Sequence, residues 1–495
     1  MVVMTSLTTT MTNSVVDGHC PLKDAQLHST YTCTLNRVDI GKNENKFYII
    51  QVLSRGSNHY VWTRWGRVGS DGQNSLSSPF DNVSSAVLQF RKIFKDKTKL
   101  DWDRRTGTPV DGCYTYMQLD AQNTNTGSQS GQIVVNGVNN MIPTTDPNLD
   151  DRVSKVIHSI CDKQMMQQAM VAYSIDVQKL PLGKLSREQL DNAERILKDI
   201  EEAIRQNASV RELERLSSSF WTLVPQATKL NQRPPVISKI SVSHDASDQE
   251  KKTCVQEWAN ILEGMRNIQV AVGAIQNSTT LYQLYQALDV NMSPCTKDEK
   301  ELLELMLKGT TSNHGMRLEL LDAVVLDKAS QNTNDVRGLF QSLGDHRMLF
   351  HGTKSSNIAG ILKEGFRVPR ADQVVNGSAL GRGIYYADCC TKSAQYCGLK
   401  NGEVGFMFVC EVALGTKQVV FGAHFDTITA PFQSRLAKGR RTVNYVENDG
   451  VWYPCGPVLP KRTSEFTTFE HNEINIPDTN QYRFRYLLVI KRHPN

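Results

Sequence analysis

The sequence predicts a multidomain α+β chain: a β-rich module first, an all-α stretch in the middle, and a mixed α/β module last. Three observations carry this. Aromatic and β-branched residues cluster in strand-like runs between about Leu27 and Leu119. Apolar residues then recur at three- and four-residue spacing from Asp146 to about Gln276. Beyond about Thr279, buried-strand runs mix with helical patterns.

KFYIIQVL (Lys46 to Leu53) and HYVWTRWGRVG (His59 to Gly69) read as strands joined by the turn Arg55-Gly56-Ser57-Asn58. In SSAVLQFRKIFKDKTKLDW, Ala86, Phe90, Ile93 and Phe94 recur at helical spacing, with a largely basic opposite face. AQNTNTGSQSGQIVVNGVNN is uncharged and has linker composition. Ser186 with Gln189 has the pattern of a capping box. It precedes a stripe of Leu190, Ala193, Ile196, Leu197, Ile200 and Ile204. Val255, Trp258, Ile261, Leu262, Met265 and Ile268 repeat that stripe, as expected of a helical bundle. GFMFVCEVAL (Gly405 to Leu414) reads as a buried strand, and Gln481 to Ile490 as a half-exposed one.

Bulk properties narrow the function less. The 495 residues favour about three domains, and 39% apolar with 22% charged residues is ordinary for a globular chain. A net charge of +5 does not establish nucleic-acid binding; the clustering of the basic residues matters more. Eleven cysteines follow no framework spacing and no CxxC or Cys/His pattern, so reduced thiols and no metal are expected. The first sixteen residues lack the charged and apolar regions of a signal peptide. No apolar run approaches the ~18 residues that a membrane span needs.

Three signals in the last third carry chemistry: His351-Gly352-Thr353, Tyr385 within GRGIYYADCCTKSAQYC, and Glu473 within HNEINIPD. Read singly, they are a turn, a packed tyrosine and a solvated strand end. Together they form a kit for a planar amide on a ribose. His351 can bond a ribose hydroxyl through either ring nitrogen. Gly352 has no Cβ, so its N–H and C=O can be approached by a carboxamide. Tyr385 and Tyr396 can clamp a flat ring, Ser393 can donate to an amide oxygen, and Lys392 can support neighbouring polar groups. A carboxylate at Glu473 would stabilise an oxocarbenium-like sugar and polarise an incoming hydroxyl.

The order and flanks of these signals resemble the catalytic domain of the poly(ADP-ribose) polymerase family. The matching segments are HGTKSSNIAGILKEGFR, GRGIYYADCCTKSAQYC, EVALG and NEINIPDTNQYRFRYLL. The resemblance implies NAD as substrate and a His351–Tyr385–Glu473 triad, with Glu473 catalytic. His351, Gly352, Thr353, Arg367, Tyr385, Lys392, Ser393 and Tyr396 would hold the dinucleotide. Two departures stand out: SALGRG lacks the aromatic residue and Met common in chain-elongating members, and Asn475 is polar where many are apolar.

Trp65-Gly66-Arg67 resembles the family's WGR domain, a module that meets broken DNA. Trp65, Arg67, their neighbour Arg64, and Lys95 and Lys97 are the expected DNA contacts. Arg91 to Arg105 holds seven basic residues against three acidic ones, an excess that suits phosphates. MVAYSIDVQKLPLGKLSREQL and FWTLVP resemble the helical regulatory domain, which in relatives blocks NAD access until DNA binds. The expected organisation is a disordered lead (1–24), WGR domain (25–120), linker (121–147), helical domain (148–277) and catalytic domain (278–495). The implied protein is a nuclear, strand-break-activated polymerase. Its partners would be DNA ends or nicks, acceptor proteins (itself and histones among them) and an accessory factor completing the acceptor site, with no membrane and no metal. The alternatives are a mono-ADP-ribosyltransferase of the same architecture and a catalytically silent DNA-end-binding scaffold.

Overall fold

The computed structural model describes residues 16–118, 142–173, 175, 185–226, 248–368, 379–424, 426–460 and 466–494. The expected linker core, residues 181–184 of the PLGKLS segment and the lead before residue 16 therefore lie outside the described residues. The chain divides into two compact units, 1–141 with 166–269, and 142–165 with 270–495.

The first unit opens with an antiparallel sheet of β1 (Gln26–Asp39), β2 (Glu44–Arg55), β3 (Asn58–Arg67), β4 (Gln73–Leu76) and β5 (Thr115–Tyr116), ordered β4-β3-β2-β1-β5. The expected turn closes β2 onto β3, with Arg55 opposite Asn58 and Gly56 at φ +60°. Helix α1 (Val83–Thr98) starts at Asn82, whose side chain accepts from the Ser85 N–H. It buries Ala86, Phe90 and Phe94, while Ile93 is only half-buried. Trp102 packs edge-on against Phe90 and Phe94 at 4.8 and 5.0 Å between centroids. A correction concerns the lead predicted to be disordered through residue 24. Asp17 is ion-paired to Arg64 at 2.8 Å, and Cys20 is fully buried with Leu53 and Trp62. Apolar burial and a desolvated ion pair anchor that segment.

Helix α2 (Asp151–Ile160) belongs to the second unit; α3 (Lys163–Ala172), α4 (Arg187–Arg205), α5 (Val210–Leu223) and α6 (Asp248–Gln276) follow, with residues 163–165 of α3 and 270–276 of α6 also counted to the second unit. Ser186 caps α4 by accepting from the Gln189 N–H. The Gln189 side chain, however, does not return to its own cap. Its Oε1 accepts from Gln118 N at 2.6 Å and its Nε2 donates to Leu223 O at 2.8 Å. The predicted stripe on α4 is buried apart from Ile196, which is half-buried. Phe220, Trp221 and Trp258 form a buried aromatic trio at 4.8 to 5.0 Å. Within the first unit the sheet is bonded to α5. Asn36 Nδ2 donates to Thr222 O (2.8 Å), and the Val38 and Ile40 amides donate to Thr222 Oγ1 and Ser218 Oγ.

The second unit adds α7 (Leu281–Ala287), α8 (Lys297–Gly309), α9 (Asn334–Leu343), α10 (Ile358–Glu364) and α11 (Cys390–Ala394). Its strands are β6 (Asn291–Pro294), β7 (Arg317–Asp327), β8 (His346–Gly352), β9 (Ile384–Tyr386), β10 (Val404–Ala413), β11 (Lys417–Val420), β12 (Ser434–Ala437), β13 (Arg441–Asn448), β14 (Val451–Pro460), β15 (Glu473–Ile476) and β16 (Tyr482–His493). They form a seven-stranded sheet, β13-β14-β8-β10-β16-β7-β6, and a four-stranded sheet, β11-β12-β15-β9. Strand β10 is the predicted buried run, with only Val404 exposed. Strand β16 is less exposed than its alternation suggests. Arg483 is buried over the Phe340 ring at 4.5 Å and bonded to Asn332 Oδ1 at 2.7 Å. Phe350, Met407, Val409 and Leu488 pack in one core cluster. Each such side chain contributes roughly 1.5–3 kcal/mol.

Candidate active site

Strand register brings the distant signals together. His351 lies in β8 opposite Phe408 of β10. Phe350, beside it, exchanges backbone hydrogen bonds with Ala387 at 2.9 and 3.1 Å, which joins the segment carrying β9 to β8. Strand β9 pairs with β15, placing Tyr385 opposite Asn475. Glu473 opens β15 opposite Ala437 of β12.

His351 Nδ1 is 2.8 Å from the Tyr385 carbonyl oxygen. An oxygen there can only accept, so Nδ1 carries the proton and Nε2 is left as an acceptor. Burial against Phe366, 4.2 Å away, pushes the imidazole down to about 4, with the carbonyl acting weakly upward. It is neutral at physiological pH. The sequence left open which nitrogen is available; the fold decides it.

Lys392 of α11 meets Glu473 at 2.9 Å, both side chains being four-fifths buried. Burial works against the Lys392 charge, yet Glu473 and then Tyr396 outweigh it and raise the lysine above its ordinary value. The ammonium also lies 5.8 Å from the Tyr396 ring. Tyr396 is the more open of the two tyrosines, at 57% exposure. The Tyr385 hydroxyl donates to Gly381 O and accepts from Leu380 N.

Two of the expected ligand residues also hold the fold together. A Cβ on Gly352 would lie 1.8 Å from Ser393 O, so the close approach that demands glycine is made by α11. Ser393 Oγ already donates to Phe350 O at 2.9 Å, a bond that ties α11 to β8. Thr353 Oγ1 accepts from Asn357 Nδ2 at 2.9 Å, and Arg367 is ion-paired to Glu364.

Sequence reasoning missed the groups that brace this site. Asp388 is buried, and desolvation raises its carboxyl above the usual range. It accepts from Asn472 Nδ2 at 2.8 Å and from the Tyr445 hydroxyl at 3.0 Å, fixing the residue before Glu473. Asn475 is fully buried, and its Nδ2 donates to the carbonyls of Leu380 (2.9 Å) and Gly381 (3.0 Å). Arg435, also fully buried, donates to Leu380 O from the other side at 2.9 Å. Only Asn475 carried a signal, a polar residue in an otherwise apolar strand; Asp388 lies in a bend and Arg435 in a short mixed strand, where nothing marks them.

In the first unit, Trp65 stacks on Tyr48 at 5.6 Å and 13° between planes, and Lys97 Nζ sits 4.6 Å from the same Tyr48 ring. Arg67 donates to Asn43 O at 2.9 Å, and Lys95 pairs with Asp101 at 2.8 Å on the surface. Arg64 corrects the sequence reading. It is buried, clamped by both Asp17 oxygens and bonded to Asp71 O, so it is withdrawn from the expected DNA contacts.

Against known proteins, residues 296–492 match the Poly(ADP-ribose) polymerase catalytic domain, 147–290 the Poly(ADP-ribose) polymerase regulatory domain, and 31–109 the WGR domain. Poly(ADP-ribose) polymerase 2 of Zea mays is 31% identical over 481 residues, covering 93% of this chain and 70% of the relative. The chain belongs to the poly(ADP-ribose) polymerase family. Protein mono-ADP-ribosyltransferase PARP3 of Homo sapiens is 32% identical over 498 residues, covering 96% of this chain and 91% of the relative. Human Poly(ADP-ribose) polymerase 2 is 29% identical over 510 residues, at 96% and 83%. As a member of this family the chain is an ADP-ribosyltransferase with NAD as its donor substrate. Among the described residues, no helix is long and apolar enough to cross a membrane.

Proposed function

We propose that the chain is a nuclear polymerase activated by DNA strand breaks, extending ADP-ribose into chains on itself and on histones and other chromatin proteins. The observation that carries this reading is the convergence of His351, Tyr385 and the Lys392–Glu473 pair through β8, β9, α11 and β15. Nicotinamide binds between Tyr385 and Tyr396, with its amide on the Gly352 backbone and, after a change of partner, on the Ser393 hydroxyl. His351 Nε2 accepts from an adenosine ribose hydroxyl, flanked by Thr353 and Arg367. The bond between ribose C1 and the pyridine nitrogen breaks and its electron pair leaves with nicotinamide. The acceptor oxygen attacks C1 from the opposite face, inverting it and losing its proton. Glu473 stabilises the oxocarbenium charge and polarises that oxygen, and Lys392 holds the carboxylate in place.

The bonds from β1 to α5 support a path from DNA to the helical domain, since Trp65, Arg67, Lys95 and Lys97 belong to the same unit. Single addition is the second reading, favoured by the SALGRG loop and by the similarity to a mono-ADP-ribosyltransferase. Purified protein with labelled NAD, with and without nicked duplex, decides between them on a sequencing gel. DNA-dependent ladders support the polymerase, and single additions replace it with the mono-transferase. No label in either tube overturns both.

A further inference from the structure

We propose that His314, Cys389 and His471 form a three-ligand site for a zinc ion beside the catalytic carboxylate. The three come from separate segments: the loop between α8 and β7, the N-cap of α11, and an isolated bridge residue two positions before β15. One ligand atom from each lies within 4.8 Å of both others. The two imidazole rings are 4.4 Å apart and tilted by 35°. A tetrahedral zinc with nitrogen and sulfur bonds of roughly 2.0–2.3 Å would place such atoms about 3.3–3.6 Å apart, so closure needs a contraction of about an ångström.

The ligand set has a chemical preference. Two imidazoles and a thiolate suit zinc and reject magnesium or calcium, which take oxygen. Cys389 is fully buried and His471 nearly so, while His314 is partly exposed and offers the way in. The present partners of these side chains are hydroxyls and one carbonyl: Thr391 Oγ1 lies 2.8 Å from His314 Nδ1 and 3.3 Å from Cys389 Sγ, Ser312 Oγ lies 2.7 Å from His471 Nε2, and Cys389 Sγ donates to Thr310 O at 3.1 Å, a bond given up when the thiol loses its proton to bind an ion. A hydroxyl can turn about its side-chain bond, either giving way to an ion or hydrogen-bonding a ligand from behind. No spacing in the sequence exposes the set, because its members are 75 and 82 residues apart. An ion here would tie together the segments holding both partners of the Lys392–Glu473 pair. His471 precedes Glu473 by two residues, and Cys389 caps the helix that carries Lys392.

The test uses the full chain stripped with a chelator and titrated with Co2+ alone, then with Zn2+. Wild type should take up one Co2+, with the visible bands of a four-coordinate ion and a near-ultraviolet thiolate band, both bleached by Zn2+. Cys389→Ser should lose the thiolate band. Loss of a group that merely hydrogen-bonds a ligand weakens such sites about tenfold or more, so His314→Ala should weaken binding by at least about tenfold. Melting of the metal-free variants checks their folding. Should Cys389→Ser unfold, the partly exposed His314→Ala carries the test, and Cys455→Ser serves as a thiol control that keeps the bands. Wild type without the bands at equimolar Co2+, or bands that persist unchanged in His314→Ala, would overturn the site.

Discussion

Replacing Gly352 by alanine tests how the site is built, because the added atom has nowhere to go. The new Cβ would stand 1.8 Å from Ser393 O and 2.6 Å from its carbonyl carbon. Both are backbone, so no rotamer change relieves the clash, and α11 must retreat by more than an ångström. Overpacking of this kind costs about 1–3 kcal/mol, and a backbone obstacle puts it near the upper end. The same movement carries Lys392 away from Glu473 and breaks the Ser393–Phe350 bond. A misplacement of about an ångström costs roughly a hundredfold in rate. Urea unfolding and NAD turnover should therefore both fall in Gly352→Ala. Gly338→Ala is the matched control: Gly338 lies in α9, a Cβ added there meets nothing within 4 Å, and the variant should gain about 0.5–1 kcal/mol. A Gly352→Ala protein within about 0.5 kcal/mol of wild type, and turning over NAD normally, would refute the packing argument.

Glu473→Gln keeps shape and removes charge. It should lower ADP-ribosyl transfer by about a hundred- to a thousandfold and leave DNA affinity, measured by fluorescence anisotropy, unchanged. Arg64→Ala strands the Asp17 carboxylate in the first unit and should cost about 3–5 kcal/mol in urea unfolding. Arg67→Ala should instead leave stability within about 1 kcal/mol and reduce stimulation by nicked duplex. His351 predicts the pH dependence. Its folded value of about 4 lies below the unfolded 6.5, so the unfolded chain binds the proton first. The stability from the neutral ring is complete above pH 6.5 and is lost as pH falls toward 4, by about 3 kcal/mol at most. Unfolding midpoints of wild type and His351→Asn should converge over that window.

The elements were legible from local pattern, and the candidate site residues from short motifs laid over it. The aromatic and β-branched run around Trp62, the stripe on α4 and the apolar run in β10 each follow from where apolar residues concentrate. His351 stood out near the end of a strand beside Gly352, Tyr385 just after the Gly381–Gly383 pair, and Glu473 at the start of a strand after polar residues. What stayed hidden depends on partners far away in the chain. Ser186 announced a helix start, but Gln189 crosses to Gln118 and Leu223, a pairing that no spacing encodes. Arg64 looked like its neighbours on a basic stretch. Its burial follows from Asp17, a residue assigned to the disordered lead.

Asn475 shows why such polar departures are structural statements. A buried amide inside a strand is tolerated when its donors are used, and both targets here are carbonyls of the turn before Tyr385. Arg435 braces that turn from β12 through Leu380, His424 and Asp426. Gly383 is held at φ +151°, where a Cβ would strike Asn475 Oδ1 at 1.6 Å, so the asparagine in this position demands the glycine. The turn that departs from chain-elongating members in its sequence thus carries its own supports. Its shape is set by the side chains of two neighbouring strands, and Tyr385, whose hydroxyl is bonded to that same turn, inherits its position from them.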